Sequence, residues 1–71
     1  MAKITELGKL TVPLGGQEIE LQQIEFEAGG MPFLRLRIRE HRRFTIFDID
    51  AVTAGEWAAL MQRWTRTQEQ E

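Results

Sequence analysis

The sequence has 71 residues, a formal net charge of −2 and no cysteine. A chain of this length forms one small domain, which buries only about 60% of the surface that its unfolded form exposes. Without cysteine it forms neither a disulfide nor a thiolate zinc site, so a partner chain is a natural source of added stability. It lacks the roughly 20 consecutive apolar residues that span a bilayer, and its N-terminus lacks the apolar run of a signal peptide. We therefore expect a single cytoplasmic domain over residues 1–71.

The arginines are concentrated in one stretch of the chain. Residues 31–47 contain five arginines and one glutamate, whereas the segments on either side are acidic. A basic block between acidic flanks is typical of a face that binds anions. It also fits charges that pair with one another within a single sheet, and the strand registers decide between these two interpretations.

The first strand is predicted near residues 9–14, after an irregular lead-in over residues 1–8. Pro13 has no backbone N–H to donate to a ladder, so this strand should lie at an edge of the sheet. Gly15-Gly16 is a two-residue hairpin signal, which predicts a tight turn into the next strand.

The second strand is predicted near residues 17–27, with Val12 opposite Ile19 across the glycine turn. Its apolar side chains change phase midway, from odd-numbered to even-numbered positions. They are Ile19, Leu21, Ile24 and Phe26. One inserted residue at Gln22-Gln23 would bring all four onto the face that meets the helix, so the sequence predicts a β-bulge there.

A three-residue loop over residues 29–31 fits the connection between the second and third strands. It places Glu25 opposite Arg35 and Glu20 opposite Arg39. The arginines of the third strand are Arg35, Arg37 and Arg39. Much of this stripe should then have carboxylate neighbours. Each exposed pair of this kind contributes about 0.2–1 kcal/mol and lowers the local positive potential.

The third and fourth strands, near residues 32–40 and 43–50, show the clearest alternation of apolar and polar residues. Strict alternation over this length is the signature of a half-buried strand. A tight turn at residues 41–42 sets the register of this hairpin. The predicted pairs are Leu34 with Ile49, Arg35 with Asp48, Leu36 with Phe47, Arg37 with Ile46 and Arg39 with Phe44.

A helix is predicted near residues 54–67. Thr53 and Glu56 match a capping box, in which each side chain satisfies a backbone donor of the first turn. Apolar residues then recur at i, i+3, i+4 and i+7, which gives one stripe. The stripe consists of Trp57, Leu60, Met61 and Trp64. The polar tail over residues 68–71 is expected to fray.

These elements predict an α+β fold, a four-stranded antiparallel β-meander with one C-terminal α-helix packed on one face. The helix stripe needs an apolar surface, and the inner face of the sheet supplies one. The core is therefore expected between the helix and this face.

No enzyme chemistry is visible in the residues. The chain contains no serine, cysteine, tyrosine or asparagine, which removes the usual nucleophiles. His41 is the single histidine and lies in a predicted turn without a second group at a fixed spacing. Asp48 and Asp50 share a strand face, but a hard cation normally needs more oxygen ligands. We therefore expect no catalytic residue, no cofactor and no metal site.

The outer face of the sheet is the candidate functional surface, because aromatic residues gather there among arginines, as they do at protein interfaces. The predicted interaction face consists of Phe33, Arg37, Arg39, Phe44 and Ile46. The same surface suits single-stranded nucleic acid, with bases stacked on rings and phosphates held by guanidinium groups. The candidate nucleic-acid contacts are Arg37, Arg39, Arg42, Arg43 and Phe44.

The segment from Arg43 to Trp64, about a third of the chain, resembles the end of the PC4-like transcriptional coactivator domain. The resemblance lies in an alternating strand followed by a capped helix that begins with a polar-x-x-Glu-Trp pattern. It implies a curved four-stranded meander, a homodimer, and single-stranded DNA bound on the sheet.

Two hypotheses follow. The first is a small non-enzymatic interaction protein, acting as a homodimer or as an accessory subunit of a larger assembly through the outer face. The second is a PC4-like protein that binds single-stranded nucleic acid through that face. They differ in salt dependence, because phosphate contacts release counterions and give a steep slope.

Overall fold

A computed structural model describes residues 2–69 of the chain. It contains four strands and one helix, which are β1 (Ala2–Thr11), β2 (Glu18–Phe26), β3 (Phe33–Glu40), β4 (Arg43–Ile49) and α1 (Ala51–Glu69). The strands form one antiparallel sheet in the order β1-β2-β3-β4. The predicted α+β meander with a C-terminal helix is thereby confirmed. No helix within residues 2–69 is long and apolar enough to cross a membrane.

The prediction of an irregular lead-in is wrong, because β1 begins at Ala2. The early part of β1 pairs with the end of β2, and Lys3 lies opposite Glu25 while Ile4 lies opposite Ile24. Charge and apolar matching therefore extend the ladder across the whole predicted lead-in, apart from residue 1, which lies outside the described residues.

The turn between β1 and β2 is longer than two residues. The Val12 N–H donates to the Gln17 carbonyl over 2.8 Å, and the Gly16 N–H donates to the Val12 carbonyl over 2.9 Å. Leu10 consequently lies opposite Ile19, where the sequence analysis placed Val12. Gly15 and Gly16 have φ angles of 112° and 76°, which explains why the turn needs glycine.

The bulge predicted at Gln22-Gln23 is absent, because β2 pairs with β3 without interruption from Glu18 to Ile24. The register shift lies instead in β1, between Glu6 and Gly8. Ile24 and Phe26 therefore project from the opposite face to Ile19 and Leu21. Placing these two side chains on that face costs little free energy, because apolar neighbours from β1 and β3 contact them there.

The register between β2 and β3 also differs from the prediction. The connection spans residues 27–32 rather than three residues. The longer loop moves Glu20 opposite Arg37 and Glu18 opposite Arg39. Arg37 and Arg39 therefore have carboxylate neighbours that were not predicted for them, and Arg35 lies opposite Gln22 instead of Glu25 but keeps its predicted neighbour Asp48.

The register between β3 and β4 is as predicted. Leu36 lies opposite Phe47, Arg35 lies opposite Asp48, and the other predicted pairs are also observed. His41 occupies the tight turn with a φ of 57°, a left-handed conformation that tight hairpins require.

The helix begins three residues before its predicted start, at Ala51. Asp50 caps it, because its carboxylate accepts hydrogen bonds from the Thr53 N–H (3.1 Å) and the Thr53 hydroxyl (2.6 Å). The predicted capping box between Thr53 and Glu56 is therefore wrong. Of the predicted frayed tail, residues 68–69 belong to α1, and residues 70–71 lie outside the described residues.

The described residues form two small apolar clusters, one on each face of the sheet. Ile24 is 1% exposed and lies beside Phe33, whose ring meets that of Phe26 edge-on at 6.1 Å. On the other face Leu36 is 6% exposed. The best-covered residue thus lies on the face away from the helix, whereas the core was expected under the helix.

The molecule is extended for its length. Its radius of gyration is 14.4 Å, against about 11 Å for a compact domain of this size. Its principal dimensions are 49 × 30 × 15 Å. A thin, long shape leaves a large share of the sheet and helix uncovered.

Candidate interaction surfaces

The outer face carries Arg35, Arg37 and Arg39 of β3, together with Phe44 and Ile46 of β4. Each of the three arginines contacts an acid on a neighbouring strand. Arg35 holds Asp48 with two hydrogen bonds, Nε–Oδ1 at 2.8 Å and Nη2–Oδ2 at 3.1 Å. This fork geometry is the strongest form of exposed ion pair.

The other two arginines are bound by β2. Arg37 Nη1 lies 3.1 Å from Glu20 Oε1, and Arg39 Nη2 lies 2.7 Å from Glu18 Oε2. Lys9 adds a second cation to Glu18 at 3.3 Å. The pairs form a ladder across all four strands, in which acids offset much of the arginine charge.

Contacts within the ladder lower the pKa values of Glu18 and Asp48. The hydrogen bond from Arg39, and then that from Lys9, hold the pKa of Glu18 below its usual value. The hydrogen bonds from Arg35 hold the pKa of Asp48 below its usual value in the same way. Both groups are therefore ionised at neutral pH and keep their partners in place.

The structure brings together four of the five residues of the predicted interaction face. The Arg37 guanidinium carbon lies 4.5 Å from the centroid of the Phe44 ring, a cation–π contact. Phe44 and Ile46 are exposed on this face beside Arg39. Phe33 lies on the same face, in the cluster around Ile24, roughly 20 Å along β3 from Arg39 at the usual rise per residue.

The remaining predicted nucleic-acid contacts, Arg42 and Arg43, lie at the hairpin end. Within the described residues neither forms an ion pair with an acid. Arg39 Nη1 donates to the His41 carbonyl over 3.1 Å, which fixes the turn between them. Arg43 lies opposite Glu40 and projects from the helix side of the sheet, whereas Phe44 projects from the outer face. Arg42 and Arg43 thus place two cationic groups at the hairpin end, but Arg43 and Phe44 do not share a face.

A second surface was not predicted as functional. It carries the helix stripe and adjacent residues of the sheet, and we call it the helix-side surface. Its exposed members are Leu10, Phe47, Trp57, Leu60, Met61 and Trp64. The stripe was predicted to lie in the core, because periodicity shows which residues share a face and not whether another element covers that face.

The side chains of the helix stripe become more exposed to solvent toward the C-terminal end of the helix. The Trp57 ring stacks on Phe47 at 6.1 Å and is 36% exposed, whereas Leu60 is 58% and Trp64 is 64% exposed. None of the helical residues 51–69 is buried. The sheet therefore supports the first two turns of α1 and leaves the later apolar residues open to solvent.

A shallow apolar hollow of about 260 Å³ lies where α1 leaves the sheet. Its walls include Leu7 at the bulge, Leu34 on β3, and Ala51 and Ala54 on the helix. It adjoins the helix-side surface and extends the uncovered apolar area.

Neither aspartate near the end of β4 is placed as a metal ligand. Asp48 is held by Arg35, and Asp50 caps α1, where the hydrogen bonds from Thr53 hold its pKa below the usual value. Within residues 2–69 no three histidine or acidic side chains are grouped so that they could hold a metal ion.

No curated protein matches the chain significantly, and no solved structure does. One family does match, over residues 1–67, and it is described as a family of unknown function. Since this match covers nearly the whole chain, the protein belongs to that family, DUF6967.

Proposed function

We propose that this chain is a small non-enzymatic protein that acts by binding protein, as a homodimer or as an accessory subunit of a larger assembly. The proposal rests on one observation, which is the large solvent-accessible surface of the chain. Its accessible surface is 6045 Å². A folded monomer of this mass exposes about 4,600 Å², so roughly 1,400 Å² is in excess.

The side chains on this excess surface are of the types that protein interfaces contain. Two tryptophans lie open on the helix-side surface, and Phe44 and Ile46 lie open on the outer face. Monomeric soluble proteins rarely expose contiguous apolar patches larger than a few hundred Å². Tryptophan is also among the residues that contribute most to binding energy at interfaces.

The experiment is static light scattering on the purified protein, at concentrations from about 1 to 100 µM and at low and high salt. We expect an average mass above 8.3 kDa that does not fall as salt rises, since apolar contacts are not screened. A stably folded monomer under all these conditions would contradict the homodimer, and the proposal would then stand only as an accessory subunit that another protein covers.

The alternative proposal is a PC4-like protein that binds single-stranded nucleic acid. Its support is the hairpin end, where within residues 2–69 Arg42 and Arg43 form no ion pair with an acid, and the exposed Phe44 ring on the outer face nearby. Against it stand the carboxylates that engage Arg35, Arg37 and Arg39 and reduce the positive potential over the rest of the face. Protein binding is therefore the proposal that the geometry favours.

A further inference from the structure

We infer that β4 is a docking edge for an extended segment of another protein, which adds to the sheet as a fifth strand and carries acidic residues that meet Arg42 and Arg43. This inference rests on the proposed function and names the kind of partner and its place of contact. In strand addition, backbone hydrogen bonds supply affinity and alternate side chains supply specificity.

The first support is a difference between the two edges of the sheet. β1 carries features that protect an edge from further pairing, namely Lys3, Lys9 and the bulge between Glu6 and Gly8. β4 contains no lysine, proline or glycine, and it pairs with β3 without interruption. Within the described residues no strand lies beyond β4, and all but its last residue are exposed. β4 is therefore the edge that can accept another strand.

The second support is the direction of the backbone groups of β4. The hairpin turn has two residues, and Glu40 lies opposite Arg43 beside it. In such a hairpin the pair next to the turn is hydrogen-bonded, and bonded and non-bonded pairs then alternate along the strands. Phe44, Ile46 and Asp48 therefore direct their N–H and C=O groups away from β3. An added strand would pair with these three residues.

The side chains of β4 offer apolar contacts on both faces of the sheet. Phe44 and Ile46 are exposed on the outer face, and Phe47 is exposed on the helix side. Directly opposed residues of neighbouring strands have Cβ atoms about 4.5–5.5 Å apart. A segment with apolar residues opposite these three would therefore bury side chains on both faces.

The charges at the hairpin end indicate that the partner is acidic. Arg42 and Arg43 form no ion pair with an acid within residues 2–69. Glu40 adjoins them, but its carboxylate accepts a hydrogen bond from Gln17 over 3.4 Å. A carboxylate that an added strand places opposite Arg43 would lie beside that side chain. Exposed pairs of this kind add little affinity, but they select the partner and fix its register.

A second copy of the chain fits this edge less well than another protein does. Twofold pairing of β4 with β4 would bring the hairpin end of one copy to the aspartates at the far end of the other. Those aspartates are engaged, because Asp48 is held by Arg35 and Asp50 accepts two hydrogen bonds from Thr53. A segment of another protein can supply free carboxylates.

The first test measures binding of a fluorescent peptide, Thr-Val-Ile-Thr-Ile-Glu-Glu, by anisotropy. Aligned antiparallel to β4, it places isoleucines opposite Ile46 and Phe44 and a glutamate opposite Arg43. The control peptide has lysines in place of both glutamates, and we expect it to bind about 10-fold more weakly at low salt. Failure of the acidic peptide to bind, or equal binding of the two peptides, would overturn the inference.

A pair of protein variants tests whether the peptide lies at this edge. Ile46→Pro removes an outward N–H and should keep the ladder with β3, since an edge strand tolerates proline where the nitrogen faces solvent. Ile46→Val is the matched control, because it keeps the N–H. We expect both to fold by circular dichroism and Ile46→Pro to bind the peptide about 10-fold more weakly than Ile46→Val. Equal affinities would overturn the inference.

Modified peptides make the same test on the wild-type protein. Methylation of the backbone nitrogens of the two isoleucines blocks N–H groups that face β4, whereas methylation at the valine and the inner threonine alters the row that faces solvent. We expect only the first modification to abolish binding. Equal effects of the two would overturn strand addition.

The outcomes for this inference and for the proposed function are distinguishable. If neither peptide binds and Ile46→Pro dissociates a wild-type oligomer that light scattering detects, the edge pairs with a second copy. The inference is then overturned and the proposed function stands. A folded monomer that binds neither peptide would overturn both the inference and the homodimer, and only an accessory subunit with a different docking surface would remain.

Discussion

At the scale of single residues, Asp50 determines where the helix begins. Its carboxylate accepts two hydrogen bonds from Thr53, and these lower its pKa. We predict that Asp50→Ala lowers the melting temperature and that Asp50→Asn loses less, because asparagine is also a good N-cap. Thermal unfolding followed by circular dichroism measures both. Equal losses in the two variants would show that capping by the side chain is unimportant.

The same bonds predict how stability depends on pH. Asp50, Asp48 and Glu18 have folded pKa values below their ordinary values. A carboxyl group of this kind stabilises the fold fully above its unfolded pKa and loses the contribution as pH falls through the folded pKa. The urea midpoint should therefore be nearly constant from about pH 7 to 5 and decline below about pH 4.5.

The control for this pH dependence is Arg39→Gln, which removes the first hydrogen bond that lowers the pKa of Glu18. Its acid decline should be shallower than that of the wild type. A urea midpoint that rises on acidification would contradict the assignment of these carboxylates as stabilising.

At the scale of the elements, the sheet carries an apolar cluster on each face. We predict that Ile24→Ala and Leu36→Ala each reduce the free energy of unfolding by about 2–5 kcal/mol, as for other buried aliphatic residues. Urea titration measures both. A negligible effect of Ile24→Ala would mean that the cluster on the outer face does not contribute to stability.

Leu60→Ala provides the contrast, because Leu60 is exposed in the single copy. If a second copy covers it, its effect on unfolding should be large at high protein concentration and should shrink on dilution. The effect of Leu36→Ala, measured relative to the wild type at each concentration, should not shrink in this way.

The sequence could predict the β3–β4 hairpin in full register, because both strands alternate strictly and the turn at residues 41–42 is short. β1 was harder to predict. The bulge between Glu6 and Gly8 breaks the alternation, and only pairing with β2 shows that Ala2–Thr11 is one strand. Local pattern cannot report a partner that is distant in the sequence.

The start of the helix and the candidate site could also not be predicted in full from local sequence pattern. Asp50 and Thr53 both suit an N-cap position, and the tertiary structure selects Asp50. All five residues of the predicted interaction face do share a face, although Phe33 lies apart from the others. The acidic partners of Arg37 and Arg39 depend on loop length and were not predicted correctly. The exposure of the helix stripe could not be predicted, since it depends on how far the helix extends from the sheet.

At the scale of the whole molecule, the charge ladder limits binding of nucleic acid. We predict no measurable binding of a fluorescent oligothymidine at physiological salt. At low salt, contacts from Arg42 and Arg43 would give weak binding with a salt slope of about −1.4 for two phosphates. Fluorescence anisotropy at several salt concentrations measures the slope, and Arg42→Gln/Arg43→Gln is the variant that should abolish binding.

Tight binding at physiological salt, lost on Arg39→Ala or Phe44→Ala, would reverse the order of the two proposed functions. Tight binding that survives those substitutions and the Arg42/Arg43 variant would place a nucleic-acid site away from both the outer face and the hairpin end.

The uncovered apolar surface of the helix and sheet is proposed to be covered by a second copy. Sedimentation equilibrium of the wild-type protein at about 10 µM measures this association. We expect a particle of twice 8.3 kDa that becomes a folded particle of 8.3 kDa on Leu60→Glu/Trp64→Glu. A wild-type protein that sediments as a stably folded monomer of 8.3 kDa would contradict it.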